Sequence, residues 1–182
     1  ENDYQGLCRV RARCGMVFQH PALLDSLTVY ENVAFGWKTP QYRKRIGRTL
    51  SEEEMRLRVV EKLALVQLGP EILERLPTEI SHGMQKRVSL ARTLAPEPEA
   101  LLFDEPTTGL DPITTESVNL LIKDLSRRLR VTSMVVSHDM ACALKIADRI
   151  LVLDAGRILF LGTVAEILVS NVPLIRDFLA ET

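Results

Sequence analysis

The chain has 182 residues and a formal net charge of −1, with 46% hydrophobic and 26% charged residues, as in an ordinary globular protein. This charge gives no reason to expect nucleic acid as a partner, and no apolar stretch approaches the roughly 18 residues that a membrane span needs. The cysteines, Cys8, Cys14 and Cys142, lack metal-binding spacing and are typical of thiols in a reducing compartment.

The first predicted elements lie in sequence typical of the middle of a domain. Residues 1–19 contain no initiator Met and no leading strand–turn unit, and residues 14–19, CGMVFQ, predict the first strand. Residues 27–36 predict a turn that enters a helix. Residues 37–50 are basic and rich in turn formers, so we expect a variable loop there.

Two longer helices are predicted next. Ser51 and Glu54 have the S-x-x-E spacing of a capping box, and apolar residues then recur at helical spacing until the Gly-Pro pair at 69–70. The second helix is expected to begin after Ser81 and to run to about Ala95.

The remaining chain alternates between strands and helices. This alternation predicts an α/β fold with a parallel sheet. The predicted strands are 100–105 and 132–138, the helices are 112–129 and 139–147, a hairpin covers 149–162, and two short helices close the chain.

The strand at 100–105 ends in two carboxylates, Asp104 and Glu105. In nucleoside triphosphate hydrolases, an Asp at such a strand end holds Mg²⁺, and an adjacent Glu can polarise the attacking water. The alternative is an acidic pair that only caps the next turn. His138 ends the next strand, and parallel strands place their carboxyl ends at one edge. We therefore expect Asp104, Glu105 and His138 to meet, against the alternative of a purely structural histidine.

Ser81 and Gly83 lie at the start of the second predicted helix. Unpaired N–H groups and partial positive charge at a helix N-terminus can bind an anion. An ordinary N-cap serine has the same local sequence, so both interpretations stay open.

These segments, in this order, are similar to the ATP-binding subunit of ABC transporters. The matching segments are MVFQ at 16–19 (the Q-loop), ISHGM at 80–84 (the signature), LLFDEP at 101–106 (the Walker B strand), TGLD at 108–111 (the D-loop) and VVSHD at 135–139 (the switch histidine). The resemblance implies an α/β fold of the ABC ATPase type, a P-loop NTPase with a RecA-like core and an α-helical subdomain. It makes residues 1–182 a partial ABC ATP-binding domain, with the helical subdomain at about 21–95 and the core and C-terminal helices at about 96–182.

The resemblance also implies cofactors, ATP and Mg²⁺, and roles for four residues at the strand ends. Asp104 would bind Mg²⁺, and Glu105 would act as the general base for water. His138 would contact the γ-phosphate. Gln19 would sense the same phosphate and reach the metal or the water.

Partners follow from the resemblance as well. ATPase subunits would form a head-to-tail homodimer in which Asp111 acts across the interface, while Ser81 and Gly83 contact the ATP of the other protomer. Transmembrane permease subunits would dock beside residues 24–26. The protein would then be cytoplasmic and peripheral on the inner (plasma) membrane, held there by the permease.

A finer resemblance concerns the transported substrate. Residues 22–35, 83–93, 104–114 and 173–180 are similar to the ATPase of Mla-type (toluene-tolerance, MCE-associated) phospholipid transporters, and Met84 suits that group. This implies lipid transport, with an MCE-type lipid-binding protein as a further partner. The alternatives are the ATPase of an importer for amino acids or other small solutes, a catalytically silent binding module, and a non-transport ABC protein of translation or DNA repair.

Two features depart from the family pattern. His82 stands where the family usually has Gly, and its side chain either crowds a loop that approaches phosphate or turns to solvent. None of the nine glycines is followed by Lys, as the phosphate loop G-x-x-x-x-G-K-[ST] requires. We therefore expect an N-terminally truncated ATPase that, on its own, binds ATP weakly and does not turn over.

Overall fold

Three parallel strands carry the residues of the predicted site. The computed structural model describes residues 4–180, without the side chains of residues 4, 5, 9, 41 and 45. In it, β1 (Cys14–Val17), β2 (Ala100–Asp104) and β3 (Thr132–Val136) form one sheet in that order. Both neighbouring pairs are parallel. The predicted parallel α/β sheet is therefore confirmed, and its strands end at the same edge.

Helices connect these strands and cover one face of the sheet. The α-helices within residues 4–180 are α1 (Tyr4–Arg13), α2 (Val29–Ala34), α3 (Pro40–Ile46), α4 (Glu52–Leu65), α5 (His82–Leu94), α6 (Pro112–Leu129), α7 (Met140–Ile146), α8 (Val164–Leu168) and α9 (Pro173–Ala180). Short 3₁₀ turns follow α2 and precede α5, at Phe35–Lys38, Pro70–Ile72 and Pro77–Glu79. No helix of the described range is long and apolar enough to cross a membrane.

The sequence predicts α4 correctly, although its cap differs. Ser51 is the N-cap, and its hydroxyl accepts a hydrogen bond from the Glu54 backbone N–H at 3.1 Å. The Glu54 carboxylate instead binds the guanidinium groups of Arg48 and Arg58. The apolar residues predicted at helical spacing in this segment are all buried, namely Met55, Val59, Leu63 and Val66.

The prediction of a loop over residues 37–50 is wrong, because α3 lies within it. Thr39 caps this helix by accepting a hydrogen bond from the Tyr42 backbone N–H, and Pro40 occupies the first turn. Trp37 and Tyr42 are buried, and the Trp37 indole donates to the Ala95 carbonyl oxygen at 2.6 Å. The burial of these two aromatic side chains fixes a segment whose basic residues are typical of a solvated loop.

Helix α1 is also absent from the sequence-based expectations. It leads directly into β1, and its Leu7 and Val10 side chains are 50% and 59% exposed. Because the side chains described for residues 6–8 and 10–13 form no buried apolar stripe, the helical period that would reveal this helix in the sequence is weak.

A hairpin of β4 (Arg149–Asp154) and β5 (Arg157–Thr163) precedes the last two helices and confirms the predicted turn. Ala155 and Gly156 both have positive φ, at 45° and 76°, the geometry of a tight hairpin turn. Ile150 and Val152 pack with Ile167 of α8 and Ile175 of α9 in a second hydrophobic cluster.

Candidate active site

Glu105 follows β2 directly and has an unusual backbone conformation. Its φ is +47°, in the left-handed region, which costs a non-glycine residue about 1 kcal/mol or more. Its backbone N–H donates to the Val136 carbonyl oxygen at 3.0 Å, so the residue is still tied to the end of β3. The chain therefore leaves the strand here with Glu105 fixed beside the neighbouring strand end.

The carboxylate of Glu105 contacts His138, as the strand topology predicts. One oxygen, Oε1, accepts from the His138 backbone N–H at 3.1 Å and lies 2.8 Å from Nδ1 of the imidazole. The other oxygen, Oε2, accepts from the Thr108 hydroxyl at 3.1 Å. The Glu105 side chain is 20% exposed, whereas that of His138 is 78% exposed. The pair therefore joins an anchored carboxylate to an imidazole that is open to a ligand.

This contact changes the proton affinity of His138. The hydrogen bond that the Glu105 carboxylate accepts from the imidazole, and then the negative charge of Glu105, raise the pKa of His138 above its ordinary value of 6.5. The same contact occupies Nδ1, so Nε2 is the nitrogen that remains for a ligand. The chemical roles of Glu105 and His138 in hydrolysis stay predictions.

Asp104 and Gln19 lie at the same sheet edge. Asp104 is the last residue of β2 and is half-buried, while Gln19 is exposed and follows β1 by two residues. Residues 4–180 contain no group of three or more His, Cys, Asp or Glu side chains that could hold a metal. Mg²⁺ in nucleotide sites is commonly bound by one or two carboxylates, substrate phosphates and water. A single Asp104 carboxylate therefore fits a metal that arrives with a nucleotide, and this role stays a prediction.

Lys86 of α5 is a residue of this site that the sequence does not reveal. It is 6% exposed, and its ammonium donates to the backbone oxygens of Pro106 and Thr108 at 3.0 and 2.7 Å. Burial lowers the pKa of Lys86, while the charge of Glu105 acts in the opposite direction. A lysine in the polar run "MQKR" of a helix usually faces solvent, so no local signal distinguishes it.

The predicted signature and D-loop residues meet at a second place. Ser81 caps α5 by accepting from the Met84 backbone N–H at 3.3 Å, and a Cβ on Gly83 would lie 3.1 Å from the Thr114 methyl. Asp111 caps α6 by accepting from the backbone N–H of Thr114 at 3.0 Å. Hydrogen bonds from the Thr114 hydroxyl and backbone lower the pKa of Asp111. The N-termini of α5 and α6 therefore adjoin through Thr114.

The surface at these helix starts is open. Ser81, His82 and Asp111 are all exposed. The roles of Ser81, Gly83 and Asp111 across a dimer stay predictions.

Buried Asn32 of α2 shapes the loop that was predicted to contact a permease. Its side chain is completely buried; Oδ1 accepts from the Leu24 N–H at 2.9 Å. Its amide nitrogen lies 3.0–3.1 Å from the carbonyl oxygens of Leu24, Leu27 and Thr28. Arg92 adds a hydrogen bond to the Ala22 carbonyl oxygen at 2.8 Å. Hydrogen bonds from Asn32 and Arg92 thus fix the loop, while Leu24, Asp25 and Ser26 stay exposed.

Comparison with known protein families agrees with this geometry. The model of the ABC transporter family matches residues 1–108. The chain therefore belongs to the ABC transporter family, and within it to the ATP-binding domain.

Curated relatives share its sequence over most of its length. The methionine import ATP-binding protein MetN of Carboxydothermus hydrogenoformans is 37% identical over 94% of this chain and 49% of its own length. The spermidine/putrescine import ATP-binding protein PotA of Acidothermus cellulolyticus is 45% identical over 93% of this chain and 42% of its own length. The chain thus spans about half the length of the curated relatives it matches.

Solved structures confirm the fold as that of an ABC ATPase. The cbiO1 protein of Clostridium perfringens, part of the ABC transporter complex cbiONQ, matches 100% of this chain and 72% of its own, with a TM-score of 0.80 and 28% identity. The ATP-binding cassette MJ0796, in a dimeric post-hydrolysis state bound to ADP and Pi, matches 90% of this chain and 68% of its own, with a TM-score of 0.75 and 32% identity.

Proposed function

We propose that the subunit containing this chain hydrolyses Mg-ATP to drive the import of a small solute through a membrane permease. The observation that carries the proposal is the contact between Glu105 and His138 at the carboxyl ends of β2 and β3. A half-buried carboxylate with an imidazole at hydrogen-bond distance is suited to accept a proton from water and to hold the water in place.

The residues beside this pair would bind the metal and position the water. Asp104 would hold the metal, and Gln19 would reach the metal or the water from the end of β1. Bound Mg-ATP supplies the reactive γ-phosphate and the metal charge that neutralises it. Glu105 would take a proton from the water, while His138 would keep the carboxylate oriented and face the γ-phosphate through Nε2.

The phosphate cradle is not supplied by these residues. The sequence has no Gly-Lys pair, so the backbone N–H groups and the lysine of a phosphate loop do not come from residues 1–182. The proposal therefore concerns the subunit that contains this chain, and weak nucleotide binding by the chain alone stays a prediction.

A small solute is the substrate that the relatives support better. Their names specify import of methionine, of spermidine and putrescine, and of glycine betaine, carnitine and choline. The expected resemblance to phospholipid transporters, with an MCE-type partner, finds no support among them. Two of the segments on which this resemblance rested, residues 83–93 and 104–114, belong to the proposed ATP site. Such segments are shared by ABC ATPases in general and do not distinguish one transported substrate from another.

Dimer formation and permease docking belong to the same proposal. The exposed cluster of Ser81, His82 and Asp111 would face the nucleotide site of a second subunit, which the dimeric MJ0796 structure supports. The loop over Asn32 would contact the permease through residues 24–26, which would hold the subunit at the cytoplasmic face of the membrane.

The test is phosphate release by the full subunit co-purified with its permease and reconstituted in vesicles. We expect Mg-ATP hydrolysis that is stimulated by a small amino acid, polyamine or betaine offered with the solute-binding component. Stimulation by phospholipid transfer instead would overturn the assignment of the solute. Absence of hydrolysis in the complete complex would overturn the enzymatic assignment itself.

A further inference from the structure

Lys86 connects helix α5 to the turn that follows β2. It lies on α5, about one helical turn beyond Ser81 and Gly83, and its ammonium reaches the segment that follows Glu105. Both of its hydrogen-bond acceptors are neutral backbone oxygens. A buried charge held by neutral groups is costly compared with an apolar side chain, so its presence calls for a role beyond packing.

The segment that Lys86 binds determines where the Glu105 carboxylate lies. Thr108 N–H donates to the Glu105 carbonyl oxygen at 3.3 Å, and Leu110 N–H donates to that of Thr107 at 3.2 Å, so consecutive turns follow β2. Glu105 and Gly109 have positive φ, at 47° and 79°. These turns direct the carbonyl groups of Pro106 and Thr108 to the same side, where the Lys86 ammonium satisfies both.

Thr108 takes part in this arrangement twice. Its backbone oxygen accepts from Lys86 at 2.7 Å, and its hydroxyl donates to Glu105 Oε2 at 3.1 Å. Displacement of the turn would therefore withdraw a hydrogen bond from the same carboxylate that His138 contacts.

We propose that Lys86 is a positioning residue that clamps the turn after β2 and so holds the Glu105 carboxylate against His138 in the orientation that activates water. Because α5 begins at the residues proposed to contact the ATP of the partner subunit, the lysine also links that contact to the general base. This inference rests on the proposed ATPase function.

The test compares Lys86→Met and Lys86→Arg with wild type in the permease-bound subunit. The methionine is also unbranched and only one atom shorter, but it donates no hydrogen bond. We expect its kcat for ATP hydrolysis to fall about tenfold or more, while KM for ATP changes by less than about threefold, because the loss concerns orientation and not nucleotide binding. Lys86→Arg retains charge and donors, and should recover part of the lost kcat.

The matched control is Lys62→Met. Lys62 is also poorly exposed, at 16% of its side chain, but it pairs with Glu97 at 3.6 Å rather than with the turn after β2. It should leave kcat within about threefold of wild type. A Lys86→Met enzyme with wild-type kcat, or with a raised KM and unchanged kcat, would overturn the inference.

Amide hydrogen exchange separates failure of this inference from failure of the proposed function. In Lys86→Met, the amides of Thr108 and Leu110 should exchange faster than in wild type, whereas those of α4 should not change. If the wild-type complex hydrolyses no ATP, the proposed function fails. If, in addition, the Thr108 and Leu110 amides exchange equally fast in Lys86→Met and in wild type, the positioning role of Lys86 is also refuted. Faster exchange in Lys86→Met, confined to these amides, would support the contact of Lys86 with the turn even then.

Discussion

At the scale of single residues, the contact between Glu105 and His138 defines the site. Glu105 has a left-handed backbone conformation, and its carboxylate accepts hydrogen bonds from His138 and Thr108. Of the two ring nitrogens of His138, Nδ1 contacts Glu105, and the side chain is largely exposed. His138 and Thr108 together therefore hold the carboxylate, and its charge raises the pKa of the imidazole.

The proton affinity of His138 provides a direct check of that contact. Because Glu105 raises the pKa of His138, Glu105→Gln should return this pKa toward 6.5, measured by NMR titration of the imidazole resonances. The control is Glu74→Gln, which removes a carboxylate paired with Arg56 and should leave the pKa of His138 unchanged. An unchanged pKa of His138 in Glu105→Gln would mean that the contact does not form in solution.

The same shift has a defined sign for stability. A histidine with a raised pKa in the folded chain stabilises the fold at pH below its unfolded value of about 6.5, and this contribution is lost as the pH rises through the folded value. Since the imidazole is 78% exposed, solvent screening keeps the contribution small.

The sequence predicts the position of a site residue when strand topology determines that position, and it fails when the position depends on which side of a helix is buried. Adjacent strand ends bring Glu105 and His138 together in any parallel arrangement of β2 and β3, so their meeting is predictable. Lys86 is not predictable, because its role depends on which side of α5 lies under the turn after β2. That side is set by packing against the sheet and not by the local sequence.

At the scale of elements, α2 determines the shape of the loop proposed to contact the permease. From a completely buried position, the Asn32 side-chain oxygen accepts from the Leu24 N–H, and the amide nitrogen lies within hydrogen-bond distance of three carbonyl oxygens of residues 24–28. Loops usually carry function when a rigid scaffold positions them. The fixed loop thus presents residues 24–26 in one conformation.

Replacement of Asn32 should therefore weaken both the fold and the loop. We expect Asn32→Ala to lower the free energy of unfolding by about 3 kcal/mol, because buried backbone groups lose their partners. Urea denaturation measures this. Asn171→Ala, at an exposed position, is the control and should change the stability by less than about 0.5 kcal/mol. Equal stability of Asn32→Ala and wild type would contradict the role of Asn32.

Helices α6 and α3 show which elements the sequence pattern predicts and which it misses. Helix α6 is predicted at its observed bounds, because Asp111 and Pro112 mark its start and a clear apolar period runs through it. Helix α3 is missed, because its burial rests on Tyr42 together with the preceding Trp37 and not on a repeating apolar stripe.

At the scale of the whole molecule, two hydrophobic clusters divide the described chain. One joins the sheet to α2, α4, α5 and α6 and supports the site, and the other joins the hairpin to α8 and α9. The opposite side of the sheet is open, since Met16, Leu102 and Met134 are 44%, 37% and 62% exposed. The continuous apolar runs of these strands suggest burial on both faces, so the sequence predicts the sheet but not which face of it the helices cover.

The central claim is that Glu105 is the group that activates water in the ABC ATPase subunit containing this chain. Single-turnover phosphate release from Mg-ATP by the complete permease complex, compared between wild type and Glu105→Gln, tests it most directly. The amide keeps the shape of the side chain but cannot take a proton, so the rate should fall by about a hundredfold or more while ATP still binds. A rate for Glu105→Gln within about threefold of wild type would contradict the claim.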